Sequence, residues 1–171
     1  MPEKIFLKLR RVKKEDLKLI RDWRNSQMIR NFNSQFVLLN LNNQNTWFNE
    51  ITKLNSERIM FIIELKNGTP IGICGLIHLD QFNKNAEVAI IIGKPQFHGK
   101  GYGTLALKLL IDYGFKKLNL HRIYADIYEY NLNSIKLFSK LNFKYESIFH
   151  DQLWRKGKWW NMYRYSLLKN E

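Results

Sequence analysis

Two neighbouring stretches of the chain hold residue types that could do chemistry together. The first is Gln96-Phe97-His98-Gly99-Lys100-Gly101-Tyr102-Gly103-Thr104. Its alternating glycines leave a file of backbone N–H groups unshielded by side chains, at the mouth of the helical run Leu105 to Phe115. A helix N-terminus carries partial positive charge, so such a loop suits a phosphate or pyrophosphate. The second is Glu87, on the strand-like run 86–92 just before the loop. A carboxylate there could serve as a general base, directly or through water. The histidines His78, His98, His121 and His150 are weaker base candidates, and His121 reads as a packing residue at the start of a strand.

The elements that must position these groups follow from hydrophobic period. Residues 5–12 alternate as a first strand. Lys14 to Trp23 places Leu17, Ile20 and Trp23 on one helical face, and Leu41 to Leu54 repeats the spacing with Trp47, Phe48, Ile51 and Leu54. An apolar strand over 58–65 reaches Asn67-Gly68, a two-residue hairpin signal into a strand over 70–79. A turn at 83–85 leads into 86–92. After the glycine loop and its helix come a strand over 121–128 and a short helix from Asn131 to Leu141. Asn142 sits where the left-handed stop should fall. Strands over 143–153 and 159–168, joined at Gly157, close the chain. The order β-α-α-β-β-β-α-β-α-β-β gives an α+β domain around a mixed sheet, read as one domain over 1–171.

Composition narrows the functional classes. At 171 residues, 45% hydrophobic and 14% aromatic, the chain can bury a core without staples. No apolar run approaches the ~18 residues of a membrane span, and the first residues lack the apolar stretch of a signal peptide, so the cytoplasm is the expected compartment and no membrane partner is expected. The lone cysteine, Cys74, lies in an apolar run and reads as a buried thiol; neither a disulfide nor a cysteine-based metal site follows, and no metal is expected. A net charge of +13 suits anionic ligands, but the basic residues form no block or stripe. That argues against a nucleic-acid surface, although a basic nucleic-acid-binding domain without catalysis is the alternative from another class.

Spacing separates the phosphate loops. No Gly-Lys-Ser/Thr follows as in a Walker loop, and Gly99, Gly101 and Gly103 do not match the dinucleotide pattern. Gln96-x-x-Gly99-x-Gly101 resembles the acetyl-CoA loop of the GCN5-related N-acetyltransferases, the GNAT family. The resemblance covers most of the chain. It includes Ala86-Glu87, the run Leu118-Asn119-Leu120-His121-Arg122-Ile123, the pattern Asn131-x-x-Ser134-x-x-Leu137-Phe138-x-x-Leu141-Asn142-Phe143, and Trp154-Arg155-Lys156-Gly157-Lys158. The set is most similar to the branch acetylating ribosomal protein N-termini, spermidine and nucleotide-linked amino sugars.

The resemblance implies a mixed, mostly antiparallel sheet of six to seven strands flanked by about four helices. It also implies transfer of acetyl from acetyl-CoA to a primary amine by direct attack. The CoA pyrophosphate would lie on the amides of His98, Gly99, Lys100, Gly101, Tyr102, Gly103 and Thr104, with Gln96 shaping the loop. The pantetheine arm would pair with Ile90, Ile91 and Ile92, where an amide of Ile91 or Ile92 would polarise the thioester carbonyl. Asn131 and Ser134 would flank the arm. Glu87 would be the base. The family's usual tyrosine, which reprotonates the departing thiolate, is here Phe138; water, Tyr128, Tyr130 or unassisted departure must replace it.

Acceptor specificity falls to Trp23, Arg24, Asn25 and Arg30, with Asn31, Phe32 and Asn33. Arginine grips phosphate, and aromatic rings stack on a sugar or base. A nucleotide-linked amino sugar is favoured over a protein N-terminus, and both over a polyamine, because the first helices lack the acidic cluster a polycation wants. Trp154, Trp159 and Trp160 are expected to serve the core or a dimer contact rather than to stack on ligand, and a homodimer is a further expectation.

Overall fold

The computed structural model describes residues 6–32 and 36–170; Ile5, Asn33 and the neighbouring residues named above lie outside them. Seven strands form one sheet: β1 (Leu7–Arg11), β2 (Ile59–Leu65), β3 (Pro70–Asp80), β4 (Asn85–Ile92), β5 (Arg122–Tyr128), β6 (Lys144–Arg155) and β7 (Lys158–Leu168). They lie in the order β1-β2-β3-β4-β5-β7-β6. Every neighbouring pair is antiparallel except β4–β5, as the mixed and mostly antiparallel expectation requires.

Five helices flank the sheet: α1 (Leu17–Asn25), α2 (Gln27–Arg30), α3 (Leu41–Thr52), α4 (Tyr102–Lys116) and α5 (Leu132–Lys140). The extra helix arises at Ser26, whose ψ of 137° breaks the run. Its hydroxyl donates to the Trp23 carbonyl at 2.8 Å, beside the backbone bond from its own N–H to the same oxygen at 3.2 Å. α3 starts on a reciprocal cap between Asn40 and Asn43, each side chain accepting from the other's backbone N–H at 2.9 Å. α5 ends before Asn142, which takes the left-handed φ of 64°.

Alternation along the strands sorts side chains to two cores. Phe61 and Ile63 of β2 join Ala106, Leu107, Leu110 and Phe138 on the α4–α5 face. Met60 and Ile62 join Ile20, Trp23 and Ile29 on the α1–α2 face, with Trp47, Phe48 and Ile51 of α3 packed against them. Each fully buried aliphatic side chain contributes roughly 1.5–3 kcal/mol. At Gly93, just past β4, a Cβ would lie 2.2 Å from the Trp23 ring, so the indole packs directly on the backbone there. Cys74 is fully buried, and burial pushes its thiol far up, as suits an inert core residue.

Candidate active site

The glycine loop leaves β4 through a short 3-10 turn at Pro95–Phe97 and turns into α4 at Gly101. Gly99 and Gly101 take φ of 70° and 87°, which side chains resist, so both glycines are needed to expose these amides. Gly103 differs: it lies within α4, and an added Cβ would rest 3.6 Å from Leu137, at ordinary contact. Two contacts hold the loop in place. The His98 Nε2–H donates to the Ile92 carbonyl at 2.7 Å, and Phe97 stands edge-on to Tyr102 at 5.1 Å.

Next to this loop the sheet divides. β4 and β5 pair only where Asn85–Glu87 meet Arg122–Tyr124. Beyond that, β4 continues against β3 alone and β5 against β7 alone. The Gly93 N–H donates to Ile71 O at 2.8 Å, which makes that facing pair a hydrogen-bonded one. Antiparallel alternation then directs the Ile91 amide toward β3, and the Ile90 and Ile92 amides into the gap. This corrects the expectation at Ile91: its N–H and carbonyl belong to the sheet.

Glu87 stands where the two strands part. Its Oε2 lies 2.8 Å from His78 Nδ1, and its side chain is 18% exposed. Burial raises its carboxyl above the ordinary value; the neighbouring Asp126 adds to that, while His78 and Arg164 oppose it. Tyr124 is the register partner of Glu87 across the parallel pair. Asp126 holds Arg164 in a two-pronged ion pair at 2.7 and 2.6 Å, and the Arg164 guanidinium lies 4.5 Å over the Tyr124 ring. A raised carboxylate beside a fixed cation, at the opening of a gap, is an arrangement suited to taking a proton.

Asn131 caps α5, its Oδ1 accepting from the Ser134 N–H at 3.2 Å. Phe138 is buried edge-on to Phe143 at 5.0 Å and donates no proton. Of the tyrosines named to replace it, Tyr130 donates its hydroxyl proton to the Asn31 carbonyl at 2.7 Å. Tyr128 stacks on Tyr130 at 5.8 Å, and burial raises both phenols.

The acceptor residues expected at 23–30 separate in space. Trp23 is 5% exposed and packed on Gly93, a core residue closed to a stacking ligand. Asn25 pins the following segment, donating to the Leu39 carbonyl and accepting from its N–H, both at 2.8 Å. Arg24 is half-buried, and burial with nearby Arg58 lowers its pKa. Arg30 lies 5.5 Å over Phe36, and among the described residues its buried Nε has no hydrogen-bond partner. Arg155 faces the same ring at 4.6 Å, and Trp160 meets Tyr130 edge-on at 4.8 Å. This aromatic and cationic wall was not assembled from sequence, because its parts come from segments over a hundred residues apart. Tyr124 and Asp126 were also missed. Their signal was the polar alternation Tyr124-x-Asp126-x-Tyr128 on a strand whose other face is core. Among the described residues no cluster of three His, Cys, Asp or Glu could hold a metal, and no helix is long and apolar enough to cross a membrane.

Comparison with known proteins agrees with this geometry. The chain is 41% identical over 110 residues to the uncharacterized N-acetyltransferase p20 of Bacillus licheniformis, over 64% of this chain and 61% of that protein. It is 28% identical over 171 residues to the spermidine N(1)-acetyltransferase of Escherichia coli K12, spanning 100% of this chain and 90% of the relative. The crystal structure of the Vibrio cholerae spermidine N-acetyltransferase, in complex with CoA and spermine, superposes with a TM-score of 0.90 at 25% identity, covering 96% of both chains. A family model for the acetyltransferase (GNAT) domain matches residues 7–144, from β1 to the first residue of β6. The glycine loop, the divided sheet and these matches together make the chain a member of the GNAT family, an acetyl-CoA-dependent N-acetyltransferase.

Proposed function

We propose that the chain acetylates a primary amine carried on a small molecule, with Glu87 as the base. The observation that supports this most directly is the half-buried Glu87 carboxylate at the point where β4 and β5 separate. Acetyl-CoA supplies the activated acyl group. The amides of Gly99 to Thr104, opened by the two left-handed glycines, receive its pyrophosphate. The free N–H groups of Ile90 and Ile92 face the arm, and one of them polarises the thioester carbonyl; such a preorganised donor is typically worth about 3 kcal/mol. Asn131 and Ser134 line the arm at the start of α5. Glu87 takes a proton from the incoming ammonium, freeing the nitrogen lone pair for attack. Holding amine and thioester together supplies most of the remaining acceleration.

The acceptor's remaining part is neutral or anionic, as on a nucleotide-linked amino sugar. Support comes from the wall of Arg30, Arg155, Phe36, Tyr130 and Trp160, which suits phosphate and a flat ring better than a polycation. Between Leu17 and Ser56 the only acidic residues are Asp22 and Glu50. A second reading, a polyamine acceptor, is favoured by the full-length relative and the structural neighbour, both named for spermidine. Turnover of acetyl-CoA, read as free thiol, across amino-sugar nucleotides, polyamines and N-terminal peptides decides between them. The highest kcat/KM on an amino-sugar nucleotide supports the first reading, and on spermidine the second. No acetyl-CoA binding by calorimetry refutes both.

A further inference from the structure

β3 contains an irregularity directly opposite Glu87. Its register with β4 shifts between Ile77 and Asp80, and His78, inside the shift, takes a left-handed φ of 49°. Outside glycine that conformation is uncommon, and asparagine, aspartate and histidine are the side chains found in it most often. Packing does not require the imidazole: its side chain is 57% exposed and lines an open cavity of about 550 Å³ with Asn55, Glu57, Asp80 and Phe82. What the bulge accomplishes is to bring Nδ1 to 2.8 Å from Glu87 Oε2. Bulges re-aim side chains in this way, commonly beside active sites.

We infer that His78 is a positioning residue for Glu87: its Nδ1–H holds one carboxylate oxygen and leaves the other to take the proton of the acceptor amine. This rests on the reading of Glu87 as the base. An ionised carboxylate has no proton to give, so the bond assigns the neutral ring's hydrogen to Nδ1. The proton taken from the ammonium forms an O–H at the free oxygen of Glu87 and afterwards leaves to water. His78 keeps its Nδ1 hydrogen throughout. His78 opposes the rise that burial imposes on Glu87, both through this hydrogen bond and electrostatically. Among the described residues, the other charged or titratable groups facing the pair are Tyr124, Asp126 and Tyr128 of β5 and Arg164 of β7, with Glu57 and Asp80 around the cavity. Arg164 is tied to Asp126, so His78 is the partner bonded to Glu87 itself.

The test is the pH profile of kcat for H78A, H78N and E87Q, with KM for acetyl-CoA measured alongside. Removing the ring in H78A is expected to lower kcat about tenfold, a fraction of the 10²–10⁴ that a base supplies. KM for acetyl-CoA should stay within about twofold, since Glu87 does not touch the loop. The acid limb should move to higher pH, because burial then acts on Glu87 without its donor. H78N tolerates the left-handed backbone and places an amide N–H near the Nδ1 position. It should recover most of kcat, with an acid limb between those of H78A and wild type, since the amide restores the hydrogen bond but not the electrostatic contribution of the imidazole. Adding H78A to E87Q should cost nothing further. A wild-type kcat and acid limb in H78A, with E87Q inactive, overturns the role of His78 alone. A wild-type rate in E87Q overturns the base reading beneath it. Should H78A fail to fold, H78G, which accepts the left-handed backbone and offers no donor, takes its place, and a wild-type kcat and acid limb there overturn the inference equally.

Discussion

As the proposed base, Glu87 combines two properties that pull in opposite directions. Burial disfavours its charge, whereas the reaction needs the carboxylate ionised. Activity should therefore fall on the acid side at a pH above the usual carboxylate range. Replacing Glu87 by Gln keeps the shape and removes the base, so kcat should drop by about 10²–10⁴ with KM for acetyl-CoA unchanged, and the acid limb should vanish. Stability should move the other way. A carboxyl whose folded pKa is raised destabilises the fold at pH values above it, where ionisation is forced. E87Q should then show a higher urea midpoint at pH 7 than wild type. A variant that is both less active and less stable would contradict this account of the site.

At the scale of elements, the loop and the split sheet depend on backbone features that few residues allow. Gly101 caps α4 at φ 87°, and alanine there costs about 1–2 kcal/mol in the left-handed conformation. G101A is expected to weaken acetyl-CoA binding about tenfold by calorimetry, with kcat at saturation less affected. Gly93 serves packing instead, since its missing Cβ is the space the Trp23 ring occupies. G93A should lose roughly 1–3 kcal/mol in urea unfolding through overpacking. The acceptor side would shift with it, because α1 bears on the end of β4 through this contact. Trp23 thus affects the reaction only through position, although its sequence context suggested a ligand contact. Asn131, expected beside the CoA arm, also caps α5 through the Ser134 N–H.

Across the whole molecule, ionised networks tie distant strands and set the response to acid. Arg122 of β5 pairs with Glu146 of β6, whose carboxyl also accepts from Ser166 of β7 at 2.8 Å. Chiefly through the Arg122 bond, and against burial, Glu146 is held down to about 2. Near β1, Arg10 joins Asp16 at 2.7 Å and Glu64 at 2.5 Å, and hydrogen bonds to Arg10 lower both carboxyls, although burial is the largest, opposing effect on Asp16. Groups lowered in this way add stability above their unfolded pKa, about 4, and lose it as pH falls through the folded value. Stability should therefore decline between about pH 4.5 and 2. E146Q should flatten the Glu146 share of that decline, so its difference from wild type narrows as pH falls. Denaturant titrations at stepped pH measure it.

Much of this protein was determined by local sequence. Strand and helix periods, the Asn142 stop and the glycine loop all follow from rules acting over a few residues, and they supply the loop to which the donor half of the proposed reaction is assigned. The break at Ser26 was not legible, since serine stops a helix only where a side-chain bond and a turn of the chain cooperate. Tertiary structure alone decided which β4 amides face the gap, because that depends on pairing with β3. It also decided that Trp23 is core, and that His78 reaches Glu87 from an irregularity in another strand. The wall around Arg30 and Trp160 belongs to the same class. Contacts between residues far apart in the chain exist only once the sheet has closed around them, and the proposed acceptor half of the site is built almost entirely from such contacts.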